Sequence, residues 1–292
     1  MSVEVGIGLA FVAMLCWGFG DFLIQKTTKK LGDWETLFVL TSFGMVVLFP
    51  FVYRRLPDLF VGSGNELMIL CSSALVLLIA SLMNFEAFKK GKLSVLEPLL
   101  SLEILAASLL AFFILGDRIS WMQFVFIISL VVSLFMVSLH ERYLSKKFFM
   151  EKGVIIFALG AVLMGFADFL LGWGARVTDP IMANFILNTV MTMIAGGYLV
   201  ATGRAFKLAR DIKEYRGRLL VMSISDNVAW IAYAFAMTLV PIAVATGLSE
   251  SSIIVAVLLG LFVNKEKIQL HQKIGLVGAI ASTIVLAALT AS

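Results

Sequence analysis

Histidine and cysteine are nearly missing from this chain of 292 residues, which has two of each. His140 and His271 sit at loop edges without companion ligands, so no metal site and no metalloenzyme are expected. Cys16 and Cys71 both lie in apolar runs, which suggests neither a disulfide framework nor a zinc site. Charge is scarce as well. Asp, Glu, Lys and Arg together make up 14% of the chain, where a soluble domain carries about 25%. No nucleotide-binding loop is present, and no cofactor and no nucleic-acid partner are expected. A basic segment ahead of the first apolar run is also lacking. The first positive residue, Lys26, follows that run, which therefore reads as a retained span and not a signal peptide.

What the chain has is apolar length. Hydrophobic residues account for 61% of it, and roughly 20 in a row suffice to cross a bilayer core. Ten such runs can be marked: 5–25, 35–53, 66–88, 93–115, 120–139, 153–175, 181–202, 219–239, 242–263 and 269–290. Each must be a helix, because lipid offers the backbone no hydrogen-bond partner. The longest polar insert, "GRAFKLARDIKEYRGRLL", places Phe206, Ala209, Ile212 and Leu219 at helical spacing among basic residues. It fits a short interfacial helix on an anionic leaflet, or an ordinary charged loop. All of the 23 basic residues except Arg54, Arg55, Arg118 and Arg176 fall in the loops after the odd-numbered spans. The positive-inside rule then puts those loops in the cytoplasm and both termini outside.

The chain repeats itself. "GFGDFL" at 18–23 returns as "GFADFL" at 165–170, and at the same offset Lys29 meets Arg176 and Phe38 meets Phe185. A second pairing matches "GDRISWMQ" at 116–123 with "KEKIQLHQ" at 265–272. Span 1 therefore corresponds to span 6 and span 5 to span 10. Units of five crossings must run in opposite directions, so the expected fold is an all-α membrane protein of two inverted five-helix repeats, residues 1–147 and 148–292. Inverted repeats place a binding site near the midplane, between the halves.

At this point the sequence resembles a known family. Ten helices in two repeats, with "LGDRIS" opening span 5 and "NKEKIQ" opening span 10, are similar to the EamA branch of the drug/metabolite transporter superfamily. The usual signature there is Leu-Gly-Glu followed by Ser or Thr two residues on. Here Asp117 stands for Glu, and Ser120 can cap the helix. The resemblance implies spans 1, 3, 4, 6, 8 and 9 around a central cavity, and spans 5 and 10 packed together. Gly275, Gly278, Ala279 and Ser282 form a small-residue stripe suited to that packing. Family members mostly keep both termini in the cytoplasm, the reverse of what the charge bias implies.

The intramembrane acids are the candidate site. Asp21 lies deep in span 1, held among Trp17, Phe19 and Phe22, and its repeat mate Asp168 lies deep in span 6. Acids at such depth usually face a bundle interior or water. Lys29 and Arg176 lie eight residues on from them, about 12 Å along a helix, too far for direct pairing. Asp21 also resembles the span-1 glutamate of small multidrug-resistance proteins, which exchange protons for cations. Glu97 and Ser101 share a face of span 4, and the second offset maps them onto Thr246 and Glu250 of span 9. Pro98 is expected to kink span 4. Glu103, six residues from Glu97, is expected to point elsewhere and carries no assigned role. In span 8, Asp226, Trp230 and Tyr233 fall on one face and offer a cation site. Asn184, Asn188 and Thr192 of span 7 form a polar stripe that interhelical hydrogen bonds or transport explain equally well.

These residues point to a secondary carrier, an exporter or exchanger, for a small polar or cationic metabolite, with a proton or cation as coupling partner and no enzymatic activity. The rival reading is an intramembrane aspartyl protease using Asp21 and Asp168, since "GFGD" satisfies a Gly-x-Gly-Asp pattern. Against it, the chain has no Tyr-Asp partner helix and no Pro-Ala-Leu near its end.

Overall fold

The computed structural model describes residues 2–61, 64–90, 97–139, 153–262 and 268–292. Among those described, the regular structure is helical throughout. Eight helices are long and apolar enough to cross a membrane, and two shorter apolar stretches, Ser101–Leu115 and Ile242–Leu258, complete the ten spans. Span 1 is Val3–Leu31, span 2 Asp33–Val52, span 3 Asn65–Lys90, span 5 Trp121–Ser138, span 6 Val154–Val177, span 7 Pro180–Ala201 and span 10 Leu270–Ala291.

Spans 4 and 9 are irregular. Span 4 opens with a 3₁₀ turn at Glu97–Leu100, becomes α-helical over Ser101–Leu110 and ends in a π-helical turn at Ala111–Leu115. Pro98 sits inside the 3₁₀ turn, where its missing N–H breaks no α-helical bond. Span 9 is split into Ile242–Ser249 and Ser252–Phe262, with Glu250 at the break. Span 8, Ala205–Leu239, is kinked at Tyr215, whose backbone leaves the helical region. Up to that kink the polar insert forms a helical segment of its own and not a loop. Leu208 is buried, while Phe206 is 90% exposed beside its basic neighbours.

The packing pairs reveal the symmetry. Span 1 packs on span 8, and span 3 on span 6; spans 4 and 6 pack together, as do spans 9 and 1. Exchanging the halves turns each pair into its counterpart. The pairs 2 with 7 and 5 with 10 map onto themselves. Five crossings per half make the two repeats inverted. The boundary at 147/148 lies outside the described residues.

Spans 5 and 10 begin alike. Ser120 accepts the Gln123 N–H at 3.2 Å while Gln123 Oε1 accepts the Ser120 N–H at 2.8 Å, a reciprocal cap. The stripe on span 10 lets the pair close up. A side chain at Gly275 would meet the Ser133 carbonyl at 2.8 Å, and Ser282 donates to Ser129 Oγ at 2.9 Å.

Candidate functional site

The first glycine of the repeated motif determines how close the irregular spans come. A Cβ at Gly165 would collide with the backbone carbonyl of Glu103. At its mate Gly18, a Cβ would meet Val255 Cβ at 2.6 Å and the Ser252 carbonyl at 3.2 Å. Ser252 is the repeat equivalent of Glu103. In both halves a glycine on the motif helix therefore admits the backbone of an irregular span at the same level. Three residues after Gly165 comes Asp168.

Asp168 is 1% exposed. Its polar neighbours are Glu103, itself 5% exposed, and Tyr233. Tyr233 is fully buried; its hydroxyl and Thr246 Oγ1 share a hydrogen bond of 2.6 Å, and Thr246 donates onward to the Ile242 carbonyl at 2.9 Å. Glu250, half-buried at the break in span 9, is within electrostatic reach of Tyr233, as are Asp168 and Glu103. Spans 4, 6, 8 and 9 thus each contribute a polar group to one buried cluster. Among the described residues no group of His, Cys, Asp and Glu side chains is arranged to hold a metal ion.

An aromatic wall adjoins it. Trp17 lies edge-on to Trp230 and to Tyr233, with ring centroids 5.2 Å away in both cases, and Trp230 and Tyr233 are 6.2 Å apart. Asp226, one helical turn before Trp230, is half-buried, and its backbone approaches Gly20 of span 1. Next to it Ser225 donates to the Cys16 carbonyl at 2.7 Å. Ser101 is buried at the start of the α-helical part of span 4, two residues before Glu103. The side chains of Asp21, Phe22 and Glu97 lie outside the described residues. Phe19 is 54% exposed.

Glu103 corrects the reading made from helical spacing. Counting at 3.6 residues per turn from Glu97 turned it away from the site. The 3₁₀ turn at Glu97–Leu100 has about 3.0 residues per turn, so the count loses phase before the α-helix begins. A usable signal was present. Glu103 sits within the apolar run "SLEILAAS", where an acid is costly unless it faces the bundle interior. The span-7 stripe is structural: Asn188 donates to Asn227 Oδ1 at 3.4 Å, and Thr192 donates to Thr41 Oγ1 at 2.9 Å, joining spans 2, 7 and 8.

Comparison with known proteins bears on the whole chain. The model of the EamA-like transporter family matches twice, over residues 4–139 and 151–288. The first match ends where span 5 ends, and the second takes in spans 6 to 10. No curated protein matches. One crystal structure superposes with a TM-score of 0.72 at 14% identity, covering 97% of this chain and 95% of its own. At that identity the likeness speaks to the fold alone. Neither comparison lends support to the aspartyl-protease alternative. With two matched repeats spanning nearly its full length, the chain belongs to the EamA-like transporter family.

Proposed function

We propose that the chain is a secondary active carrier and not an enzyme, exporting or exchanging a small polar or cationic metabolite against protons. The supporting observation is Asp168, a fully enclosed acid set beside the buried acid Glu103 and the buried hydroxyl of Tyr233. Two carboxyl groups side by side away from water need a counter-charge, and a proton or a cationic substrate supplies it. Alternating between the two is a minimal exchange cycle. In this reading Asp168 and Glu103 hold the exchangeable charge and Asp21 is the counterpart in the first repeat. Glu97, Ser101, Thr246, Glu250, Asp226, Trp230 and Tyr233 form the substrate or proton path. The break in span 9 beside Glu250 suits such a site, because interrupted helices present backbone groups to a ligand.

The test is a thermal-shift screen of the purified protein against polar and cationic metabolites, since ligand binding to the folded state raises apparent stability. Compounds that stabilise the protein are then titrated over a pH series in wild type, Asp168→Asn and Asp21→Asn. Lowering the pH protonates the acids and removes the attraction, so affinity for a cation falls with pH in wild type. Asn cannot ionise, so Asp168→Asn loses this dependence. Stabilising ligands whose binding ignores both pH and the substitution would sink the proposal.

We also assign both termini to the outside and the loop at 204–218 to the cytoplasm, and take 1–147 and 148–292 as the two structural units. Single cysteines at Ser2 and Ala209, probed with an impermeant thiol reagent on intact cells, test the sidedness. Labelling at Ala209 but not Ser2 reverses it.

A further inference from the structure

The face carrying the loops after spans 4, 6 and 8 is tied together through one arginine. Arg176, at the end of span 6, makes a bidentate pair with Asp117 in the span 4–5 loop: Nη1 to Oδ1 at 2.5 Å and Nη2 to Oδ2 at 2.9 Å. Its Nε donates to the Met237 carbonyl at 2.7 Å, and Nη2 also donates to the Val240 carbonyl at 3.2 Å, both at the end of span 8. Asp117 Oδ2 in turn accepts the Ile242 N–H at 2.9 Å, at the first residue of span 9. The pair is largely enclosed, with side-chain exposures of 26% and 14%. Bidentate, charge-assisted contacts of this kind are strong and directional.

The clasp is wired to the buried acids. From Asp117 the bonds run to the Ile242 N–H, from the Ile242 carbonyl to Thr246 Oγ1, and from there to the Tyr233 hydroxyl, the neighbour of Asp168 and Glu103. A second route is covalent, since Asp168 and Arg176 lie on the same helix. The end of span 8 and the start of span 9 are each bonded to the clasp, so it joins both to the ends of spans 4 and 6.

We propose that Asp117 and Arg176 are the gating pair of this face, and that Asp117 is a positioning residue that links closure to the placement of Thr246 and Tyr233 at the acid cluster. The proposal rests on the carrier reading, but its test needs no substrate and so fails independently of the ligand screen. In a background of Cys16→Ala and Cys71→Ala, a single Ala229→Cys, buried one helical turn before Tyr233, reports access to the cluster. An impermeant thiol reagent is applied from either side of sealed vesicles. Asp117→Asn and Arg176→Gln are expected to raise the labelling rate about tenfold from the clasp face only, a shift in the open fraction of one decade. Asp117→Glu, which keeps the charge and the acceptor, returns labelling to the slow rate. An unchanged rate in both variants overturns the proposal. So does an equal rise from both faces, which is general loosening. Should neither variant fold, spin labels at Arg118→Cys and Val177→Cys, flanking an intact clasp, are measured in lipid nanodiscs. Two separations support an opening clasp, and a single one under acid and alkaline conditions overturns it.

Discussion

The two repeats share a plan and the motif aspartate but differ in chemistry around it. In the second, Asp168 is buried beside Glu103, and Arg176 is spent on a clasp. The first repeat's motif helix carries Lys29, which is exposed, in place of Arg176, and it packs on span 9 of the second repeat, where Ser252 stands in place of Glu103. Lysine is a point charge with no planar fork, so it cannot reproduce the bidentate contact. Symmetry of backbone therefore coexists with asymmetry of charge. An inverted pair with identical chemistry would favour neither face, whereas unequal pairs bias the carrier toward one of its two states.

The largest effect expected from breaking this comparison is at the acids. Asp168→Asn removes the buried carboxyl without changing its size. Proton-dependent exchange should be lost altogether, while the apparent melting temperature holds or rises, because a second buried acid beside Glu103 costs stability. Measuring both on the same preparation separates a functional acid from a structural one. Asp21→Asn should give the same loss or less, since equivalence in sequence does not require equal use. A pair of variants with full exchange and normal pH dependence would make both acids structural.

The glycines sharpen the comparison at the level of packing. At Gly165 an added Cβ falls on the Glu103 backbone carbonyl, which a helix cannot easily withdraw. At Gly18 it falls mainly on the Val255 side chain. Gly165→Ala should therefore cost more, about 1–3 kcal/mol as for other overpacked positions, and Gly18→Ala less. Thermal melts in one detergent rank the two. The reverse order would mean that spans 1 and 9, not spans 6 and 4, make the tighter crossing.

Much of this architecture was legible in the sequence. The ten apolar runs, the repeat carried by "GFGDFL" and "GFADFL", the stripe at 275–282 and the cap at Ser120 all follow from periodicity and spacing, and each has its place in the fold. The site was legible in part. Asp168, Tyr233 and Thr246 converge, because polar groups at membrane depth turn to a common interior. Glu103 was missed where a 3₁₀ turn breaks that phase, and the clasp was missed for a different reason. Asp117 and Arg176 are 59 positions apart, and no helical count relates residues on different elements. The sequence did record Arg176 as one of few basic residues on its face. That scarcity was itself a signal, because a lone arginine at a helix end among carbonyls has every reason to be used.

The smallest expected effect concerns the peripheral pair, spans 5 and 10, where the repeats are most alike. Gln123 and Gln272 occupy equivalent positions. Each accepts the N–H of its cap residue, and each also reaches the partner span. What they reach differs. Gln123 Nε2 donates to the Thr290 hydroxyl at 3.0 Å, and that hydroxyl is itself a donor to the Leu286 carbonyl. Gln272 Nε2 donates to the Val137 carbonyl at 3.1 Å, near the end of span 5, where a helix has run out of its own donors. Truncating Gln123 leaves Thr290 still bonded, so Gln123→Ala should cost about 1 kcal/mol, the ordinary worth of a cap. Truncating Gln272 strands a buried carbonyl as well, and a stranded acceptor adds about 1–3 kcal/mol. Gln272→Ala should therefore melt lower than Gln123→Ala, with exchange activity intact in both because neither touches the acid cluster. Equal melting temperatures would show that the Val137 carbonyl finds water or another donor once the glutamine is gone. The difference between the repeats would then be confined to the charged residues of the core.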